Sequence, residues 1–213
     1  MGNTIKNKEL VRTKERQIAR AATKNIIEKG FHKTSVREVA KDAGLTIGNL
    51  YDYVNTKDDI LYLVFKEFYA VWSDNLLKDP KILTIPDPKQ QLCAAIESML
   101  DIINKSRDLV ILAYRETKSL RRDYLKEVLG QESKLVEYFE QIIRRGIELG
   151  SFRKIDAALA ANSIVLLLAL VPLRGWNFMH NYNEQDVMKF TIDFIINGIL
   201  ETETHSEDGS EKS

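Results

Sequence analysis

Glycines and helix-capping residues divide the first quarter of this chain at short intervals, and they restrict its fold more than any other feature. Apolar residues recur at helical spacing from about residue 13, and Gly30 ends that helix where a left-handed residue is favoured. Ser35 opens a second helix with a capping-box pattern, Gly44 ends it, and Thr46 caps a third. Two short helices joined by a glycine turn, after a longer supporting helix, predict a helix-turn-helix.

The third predicted helix has an apolar side and an outer side. Leu50 and Val54 are one turn apart and are predicted to face the core. The residues toward the outer side are Ile47, Gly48, Asn49, Tyr51 and Asp52. That side suits a DNA groove, because a glycine lets the helix approach a surface closely and an asparagine amide can read a base edge.

Groups that could hold phosphates flank this helix. Tyr51 and Tyr53 carry hydroxyl donors, Lys57 carries a positive charge, and the fourth helix begins with free backbone N–H groups. Up to Lys57 the chain has twelve Lys or Arg against six Asp or Glu, so this part carries +6 and the rest of the neutral chain carries −6. The asymmetry indicates an anionic partner such as nucleic acid for the first part only. The alternative is that these basic residues only solvate helix faces.

A basic arm precedes the first predicted helix and has little apolar patterning. Its charged residues are Lys6, Lys8, Arg12 and Lys14. We interpret it as a mobile tail that adds nonspecific attraction to phosphates, with a merely disordered tail as the alternative.

The run from residue 20 to residue 61 resembles the DNA-binding domain of the TetR family of bacterial transcriptional regulators, in register and without gaps. The matching residues are Ala22, Gly30, Thr34, Ser35, Val39, Ala40, Ala43, Gly44, Gly48, Leu50, Tyr51, Tyr53, Lys57 and Leu61. Val54 stands where the family commonly has Phe, and Thr56 stands where it usually has Ser. Both departures keep the apolar and the capping roles.

The resemblance implies an all-α homodimer of about nine helices: an N-terminal three-helix helix-turn-helix domain that binds double-stranded operator DNA, and a C-terminal body that binds a small effector. The residues that would face bases by matching position are Arg37, Ile47, Gly48 and Asn49. Those that would hold phosphates are Thr34, Ser35, Thr46, Tyr51, Tyr53 and Lys57. Helix capping alone is the alternative for Thr34, Ser35 and Thr46, and packing between helices is the alternative for Tyr51.

Beyond Lys57 the sequence predicts further helices, and their apolar faces indicate a second functional unit. The predicted spans are 56–78, 88–104, 107–119, 121–149, 156–177 and 183–202, with a proline-rich loop before residue 88 and a break near Pro172. We expect a DNA-binding domain with its basic arm at residues 1–57, an effector-binding and dimerisation domain at 58–204, and a disordered tail at 205–213.

The last two predicted helices carry more apolar surface than one side of a helix needs, which favours a four-helix bundle between two protomers. The interface residues expected there are Ala161, Ile164, Leu168, Phe190, Phe194 and Ile195. The alternative is that these faces belong to the core of one chain, and we favour that alternative for Leu166 and Leu167.

A polar, basic cluster ends the predicted helix 107–119, beside an apolar interior. An apolar cavity with cations at its mouth suits an amphipathic anion. The segment YRETKSL, residues 114–120, is similar to one in family members that sense fatty acyl-CoA thioesters, and this similarity implies an acyl-CoA effector. The residues expected to bind it are Tyr114, Arg115, Lys118, Arg121, Arg122 and Trp176. Surface ion pairs of Arg115 with Glu116, and core filling by Trp176, are the alternatives.

The resemblance to the family implies a repressor that an amphipathic effector such as an acyl-CoA releases from a palindromic operator. A drug-responsive repressor of an efflux system is one alternative, and an effector-free architectural DNA-binding protein is another. Effector screening by thermal shift separates a ligand-responsive regulator from the architectural protein, because only the regulator gains stability with its ligand.

Other classes of protein lack their sequence signals. The three histidines lie outside helical reach of one another, and no G-x-S-x-G motif or phosphate-binding glycine loop occurs, so we expect no enzyme, no cofactor and no metal. The single cysteine excludes an intramolecular disulfide. We find no apolar signal core and no membrane-length apolar run, and we expect a cytoplasmic protein without a membrane partner.

Overall fold

The computed structural model describes residues 2–200, with side chains from residue 8 onward. The predicted disordered tail at 205–213 and the side chain of Lys6 lie outside the described residues. The eleven α-helices within residues 2–200 are α1 Gly2–Lys29, α2 Val36–Asp42, α3 Ile47–Tyr51, α4 Lys57–Trp72, α5 Pro80–Leu83, α6 Pro88–Lys105, α7 Arg107–Glu116, α8 Arg122–Glu148, α9 Ala157–Leu168, α10 Leu170–Phe178 and α11 Glu184–Ile199. A π-helical turn, Ser73–Leu77, continues α4, and a short 3₁₀ turn, Thr117–Ser119, continues α7. The all-α prediction is confirmed.

Local capping signals explain the first three helices after α1. Ser35 accepts a hydrogen bond from the backbone N–H of Glu38, whose side chain accepts one from the N–H of Ser35, so the capping box is formed. Thr46 caps α3 by accepting from the N–H of Asn49. Gly44 has a φ of 62°, the left-handed conformation that ends α2 without strain on a side chain. The helix-turn-helix is therefore formed as the sequence predicts.

The first helix is longer than expected. α1 begins at Gly2, whereas the sequence predicted a start near Thr13 and a mobile arm before it. The prediction of an unstructured arm is wrong for this segment, because residues 3–29 contain no glycine or proline to interrupt a helix and include many good helix formers. The charged residues Lys8 and Arg12 are thus exposed on a regular helix.

Two further helices arise where the sequence predicted a loop or one continuous helix. Asp79 caps α5 and Pro80 occupies its first turn, where a missing N–H costs nothing, so a proline read as a loop signal begins a helix instead. The predicted helix 156–177 is divided at Ala169, with a bend of 51° between α9 and α10. Pro172 lies in the first turn of α10, which confirms the predicted break.

A continuous hydrophobic core connects the helix-turn-helix to the rest of the chain. α4 packs against both α1 and α8, and α8 packs against α6 and α9. Trp72, Phe65 and Phe139 are the largest of its fully buried side chains. Among the described residues no single helix is long and apolar enough to cross a membrane, and only the bent pair α9 and α10 together reaches that length and composition.

Candidate functional site

The exposed face of α3 presents the residues that the sequence assigned to it. Ile47 is 37% and Tyr51 49% exposed, and Gly48 and Asn49 are exposed between them. Apart from its two chain neighbours and the backbone of its own helix, a Cβ atom added to Gly48 would have only the Thr46 hydroxyl within 4 Å, at 3.9 Å. The fold could therefore accommodate a methyl group at Gly48 without a steric clash.

The start of α2, which packs against α3, presents Arg37 and the cap residue Ser35. Both residues are exposed, and the Ser35 hydroxyl is engaged in the capping box. Thr34 is different: it is 4% exposed, and its hydroxyl donates to the carbonyl oxygen of Gly30 at 3.0 Å. The side chain of Thr34 is turned inward, contrary to the predicted phosphate contact, because the turn after α1 uses its hydroxyl.

Two further predicted phosphate contacts also have structural roles. Tyr53 is half-buried and packs against the core. The Lys57 ammonium donates to the carbonyl oxygen of His32 at 2.9 Å and lies 4.7 Å from the centre of the Phe31 ring. An ammonium has three donors, so Lys57 keeps two for another partner while it ties the start of α4 to the end of α1.

A cavity of about 400 Å³ lies between α4, α6, α7, α8 and α9. Its apolar lining includes Phe68, Trp72, Met99, Ile103, Val110, Leu125, Leu129, Leu135 and Leu168. Its polar lining is Tyr69, Tyr114, Thr117, Lys118 and Glu132. Its volume lies within the range of small-molecule sites, and a mostly apolar wall with a few polar groups is typical of them.

Only part of the predicted effector cluster reaches this cavity. Tyr114 and Lys118 line it. Arg115 instead borders a separate cavity of about 100 Å³ beside α1, at 4.0 Å from the carboxylate of buried Glu116. Arg122 is exposed and does not line the cavity. Arg115 follows Tyr114 on α7, and successive residues of a helix point in directions about 100° apart, so only Tyr114 faces the cavity.

The other two predicted effector residues also lie elsewhere. Arg121 forms an ion pair with Asp123 at 2.9 Å and lies 4.3 Å from the centre of the Tyr124 ring. Trp176 is 77% exposed and lies on α10, 5.5 Å from the Arg174 guanidinium, so the prediction that it lines the cavity is wrong for this conformation. The break at Ala169 turns α10 away from α9.

Glu132 is a cavity residue that the sequence did not reveal. It accepts a hydrogen bond of 2.9 Å from the hydroxyl of Tyr69, which lies 63 residues away in the chain. Burial, together with the nearby charge of Glu132, raises the pKa of both Tyr69 and Tyr114. Only tertiary packing brings these groups together, so helical spacing gave no signal for the site.

A polar contact joins the start of α4 to the start of α8. The Asp59 carboxylate accepts hydrogen bonds from the Tyr124 hydroxyl at 2.7 Å and from the backbone N–H groups of Asn55 and Thr56. Burial opposes ionisation of Asp59, but these hydrogen bonds outweigh burial and hold the pKa of this carboxyl below its usual value. The cap of α4, directly after the helix-turn-helix, is therefore attached to the segment that follows the cavity residues Thr117 and Lys118.

The proposed dimer surface on α9 and α11 divides into buried and exposed residues. Four of the predicted residues are at most 4% exposed and fill the core of one chain, so they are not available to a partner: Ala161, Ile164, Leu168 and Ile195. Phe190 and Phe194 are 63% and 58% exposed, with ring centres 5.9 Å apart. Leu166, expected in the core, is 58% exposed, and Leu159 is 68% exposed. The two helices pack together and leave these four side chains uncovered.

The fold and the exposed α3 face define a helix-turn-helix protein with a helical body. The family model described as "Bacterial regulatory proteins, tetR family" matches residues 18–62, and the model described as "Tetracyclin repressor-like, C-terminal domain" matches residues 86–173. Together these matches cover well over half of the sequence. The chain belongs to the TetR family of bacterial transcriptional regulators.

Relatives agree with this assignment over most of the chain. The HTH-type transcriptional regulator HbdR from Aromatoleum sp. (strain CIB) is 29% identical over 181 residues, which are 85% of this chain and 78% of HbdR. FadR from Bacillus subtilis, solved in complex with stearoyl-CoA, is 24% identical with a TM-score of 0.72 and coverage of 86% of this chain and 98% of that one. AibR, solved with isovaleryl coenzyme A and operator DNA, is 17% identical with a TM-score of 0.72 and coverage of 85% and 97%. The two solved structures show a shared fold.

Proposed function

We propose that this protein is a homodimeric repressor that leaves a palindromic operator when an acyl-CoA thioester binds its helical body. In this proposal residues 1–57 bind DNA, residues 58–204 bind the effector and the second protomer, and the protein works in the cytoplasm, where the operator is. The observation that carries the proposal is the mostly apolar cavity of about 400 Å³ with Lys118 and Tyr114 in its wall. Both solved structures compared above contain acyl-CoA thioesters.

The chemistry of the cavity fits an acyl thioester in two parts. Aromatic and aliphatic side chains can desolvate an acyl group, at about 0.8 kcal/mol for each methylene that leaves water. Phosphates need cations or other donors at the opening, and Lys118 lies in the cavity wall beside the first turn of α8. With Arg115 and Arg122 away from the cavity and Arg121 paired to Asp123, Lys118 is the predicted cation best placed for the nucleotide part.

The contact between Asp59 and Tyr124 supplies a route from effector to operator. A ligand in the cavity touches Thr117, Lys118 and Leu125, and Tyr124 is the neighbour of Leu125 on α8. Movement of this segment would act on the cap of α4 through the 2.7 Å hydrogen bond to Asp59. Ligand binding shifts the DNA-binding state only if its affinity differs between the two arrangements. We propose that the effector favours an arrangement in which the two recognition helices no longer match successive major grooves.

Titration of a protein–operator complex tests the proposal. Acyl-CoA should release the DNA, whereas coenzyme A alone and the free fatty acid should release it much less readily. The variant that tests the role of the cation is Lys118→Ala. It should weaken release by the thioester and leave operator affinity in the absence of ligand unchanged. No release by any thioester, with intact operator binding, would reject the acyl-CoA proposal and keep the DNA-binding one.

One observation favours a second candidate effector. The carboxylate of Glu132 lies among the aromatic residues Phe68, Tyr69 and Trp72 of the cavity, a combination that also suits an aromatic cation. A drug-responsive repressor of an efflux system would use the same cavity and the same DNA surface. Release of the operator by cationic aromatic compounds, but by no thioester, would select this candidate.

A further inference from the structure

A carboxylate interrupts the apolar wall of the cavity. Glu132 lies on α8 about one turn beyond Leu129. It accepts a hydrogen bond from the hydroxyl of Tyr69, a residue that is only 5% exposed. The hydrogen bond involves the Oε2 atom of Glu132. Within residues 8–200 Glu132 takes part in no ion pair and in no other side-chain hydrogen bond. Its second oxygen therefore keeps its accepting capacity beside the cavity.

Such a carboxylate favours ligands that donate hydrogen bonds. A charged group that leaves water is destabilised unless hydrogen bonds replace its hydration. An ionised carboxylate offers about four accepting positions, and Tyr69 fills one of them. A ligand hydroxyl at this position would form a charge-assisted hydrogen bond, which is among the stronger kinds in proteins. A ligand carboxylate at the same position would meet a like charge and be rejected.

We infer that Glu132 determines effector specificity by selecting acyl thioesters whose acyl group carries a hydroxyl. The inference rests on the proposed function, because it concerns the same cavity and the same class of effector. Glu132 acts as an acceptor for the hydroxyl and excludes acyl groups that end in a carboxylate. An unsubstituted acyl chain leaves the Glu132 carboxylate partly desolvated without a new partner, and it therefore binds more weakly.

The position of Glu132 on α8 locates the hydroxyl within the effector. Lys118 lies just before α8, which begins at Arg122, and Glu132 lies ten residues further along that helix. Ten residues of α-helix span about 15 Å. If the nucleotide part lies near Lys118, the hydroxyl lies toward the far end of the acyl group. A terminal hydroxyl therefore suits Glu132 better than one next to the thioester.

Calorimetric titration of the full-length protein with a matched pair of ligands tests the inference. The pair is decanoyl-CoA and 10-hydroxydecanoyl-CoA, which differ by one hydroxyl at the distal end. We expect the hydroxylated thioester to bind about tenfold more tightly to the native protein. The two possibilities predict opposite changes in affinity, because a hydroxyl buried in this cavity without an acceptor would lower the affinity of the ligand.

Variants on the same helix assign the preference to one side chain. Glu132→Gln keeps an oxygen acceptor for Tyr69 but removes the charge, and it should reduce the preference for the hydroxylated ligand to about threefold or less. The matched control is Glu137→Gln, an exposed position of α8 that does not line the cavity, and it should keep the full preference. Tyr69→Phe on α4 is a second variant, and it leaves Glu132 charged. The preference for the hydroxylated ligand should persist in this variant, which provides a test even if Glu132→Gln folds poorly.

The outcomes separate this inference from the function on which it rests. Equal or weaker binding of the hydroxylated thioester by the native protein would overturn the inference and leave the acyl-CoA proposal standing. The same holds if Glu132→Gln keeps the full preference. Binding of decylamine, with no binding of either thioester, would overturn both. Tight binding of the hydroxylated thioester that depends on Glu132 supports both.

Discussion

Gly48 is the residue whose lack of a side chain most directly shapes the proposed DNA-binding surface. It lies in the first turn of α3, between the exposed residues Ile47 and Asn49, and a Cβ atom added there would meet only the Thr46 hydroxyl, at an ordinary contact distance of 3.9 Å. Glycine at an interior helical position weakens a helix relative to alanine by about 1 kcal/mol. Among the described residues no side chain closer than the Thr46 hydroxyl, at 3.9 Å, restricts a Cβ atom here, and we therefore propose that the glycine serves close approach to DNA.

Gly48→Ala should therefore separate folding from DNA binding. We expect an unchanged or slightly higher melting temperature, together with operator affinity reduced by about tenfold or more, because the methyl group would meet the groove. The matched control is Gly130→Ala, an exposed glycine of α8 with no heavy atom within 4 Å of an added Cβ. That variant should gain similar stability and keep its operator affinity. Equal operator affinity of the Gly48 variant and the native protein would show that this turn does not enter the groove.

Asn49 differs from its neighbours because its amide offers both a donor and an acceptor. Asn49→Ala should relax the preference at one base pair by about 1–3 kcal/mol, while affinity for unrelated DNA changes little. Tyr51→Phe is the comparison: it removes a hydroxyl assigned to phosphate and should weaken binding to all sequences. Competition against operator variants with single substitutions measures both effects. An unchanged base preference after Asn49→Ala would remove it from the base-reading residues.

Helices whose ends carry local signals could be predicted from the sequence, and contacts between distant helices could not. Ser35, Thr46 and Thr56 cap helices through neighbours three residues away, so their patterns are visible in a short window. The partners of Lys57 and Glu132 lie 25 and 63 residues away, and no periodicity specifies them. The same limit explains why exposed Leu166 was expected inside: α9 is apolar on nearly every side, and only packing shows which side is covered.

The link between α4 and α8 is the contact between helices on which the proposed coupling of effector and operator depends. Tyr124 donates to Asp59, and its ring stacks on the ring of Tyr62 from α4 with centres 4.1 Å apart. Asp59 also forms the capping box of α4 with Thr56. One α8 residue thus contacts both the cap and the first turns of the helix that follows the helix-turn-helix.

Tyr124→Phe should weaken communication between the two sites while each keeps its own ligand. The ring still stacks on Tyr62, and Asp59 keeps its hydrogen bonds with the backbone N–H groups of Asn55 and Thr56. We therefore expect near-native affinity for operator and for effector when each is measured separately. The coupling free energy between them, typically 1–3 kcal/mol in allosteric proteins, should fall. Operator affinity at zero and at saturating effector gives this quantity. Full coupling in the variant would show that other contacts of α4, such as that of Tyr69 with Glu132, transmit the effect of the ligand.

We propose that two chains associate as a dimer, on one functional and one structural ground. A palindromic operator needs two recognition helices about 34–36 Å apart, which a single chain cannot provide. The exposed side chains of Leu159, Leu166, Phe190 and Phe194 lie on α9 and α11, while the helix-turn-helix occupies residues 36–51. Large apolar side chains uncovered on two adjacent helices are typical of an interface.

Phe194→Glu should yield a folded monomer that no longer binds the operator tightly. The ring is 58% exposed and stacks on Phe190, so a carboxylate there leaves the core of one chain intact but places a charge in the apolar surface proposed for the dimer. Light scattering should give a mass near 24.5 kDa, that of one chain, instead of twice this value. Leu83→Glu is the control, since Leu83 is an exposed apolar residue on α5, and it should leave both the dimer and operator binding unchanged. A Phe194→Glu protein that remains dimeric and binds the operator with native affinity would place the interface on another surface.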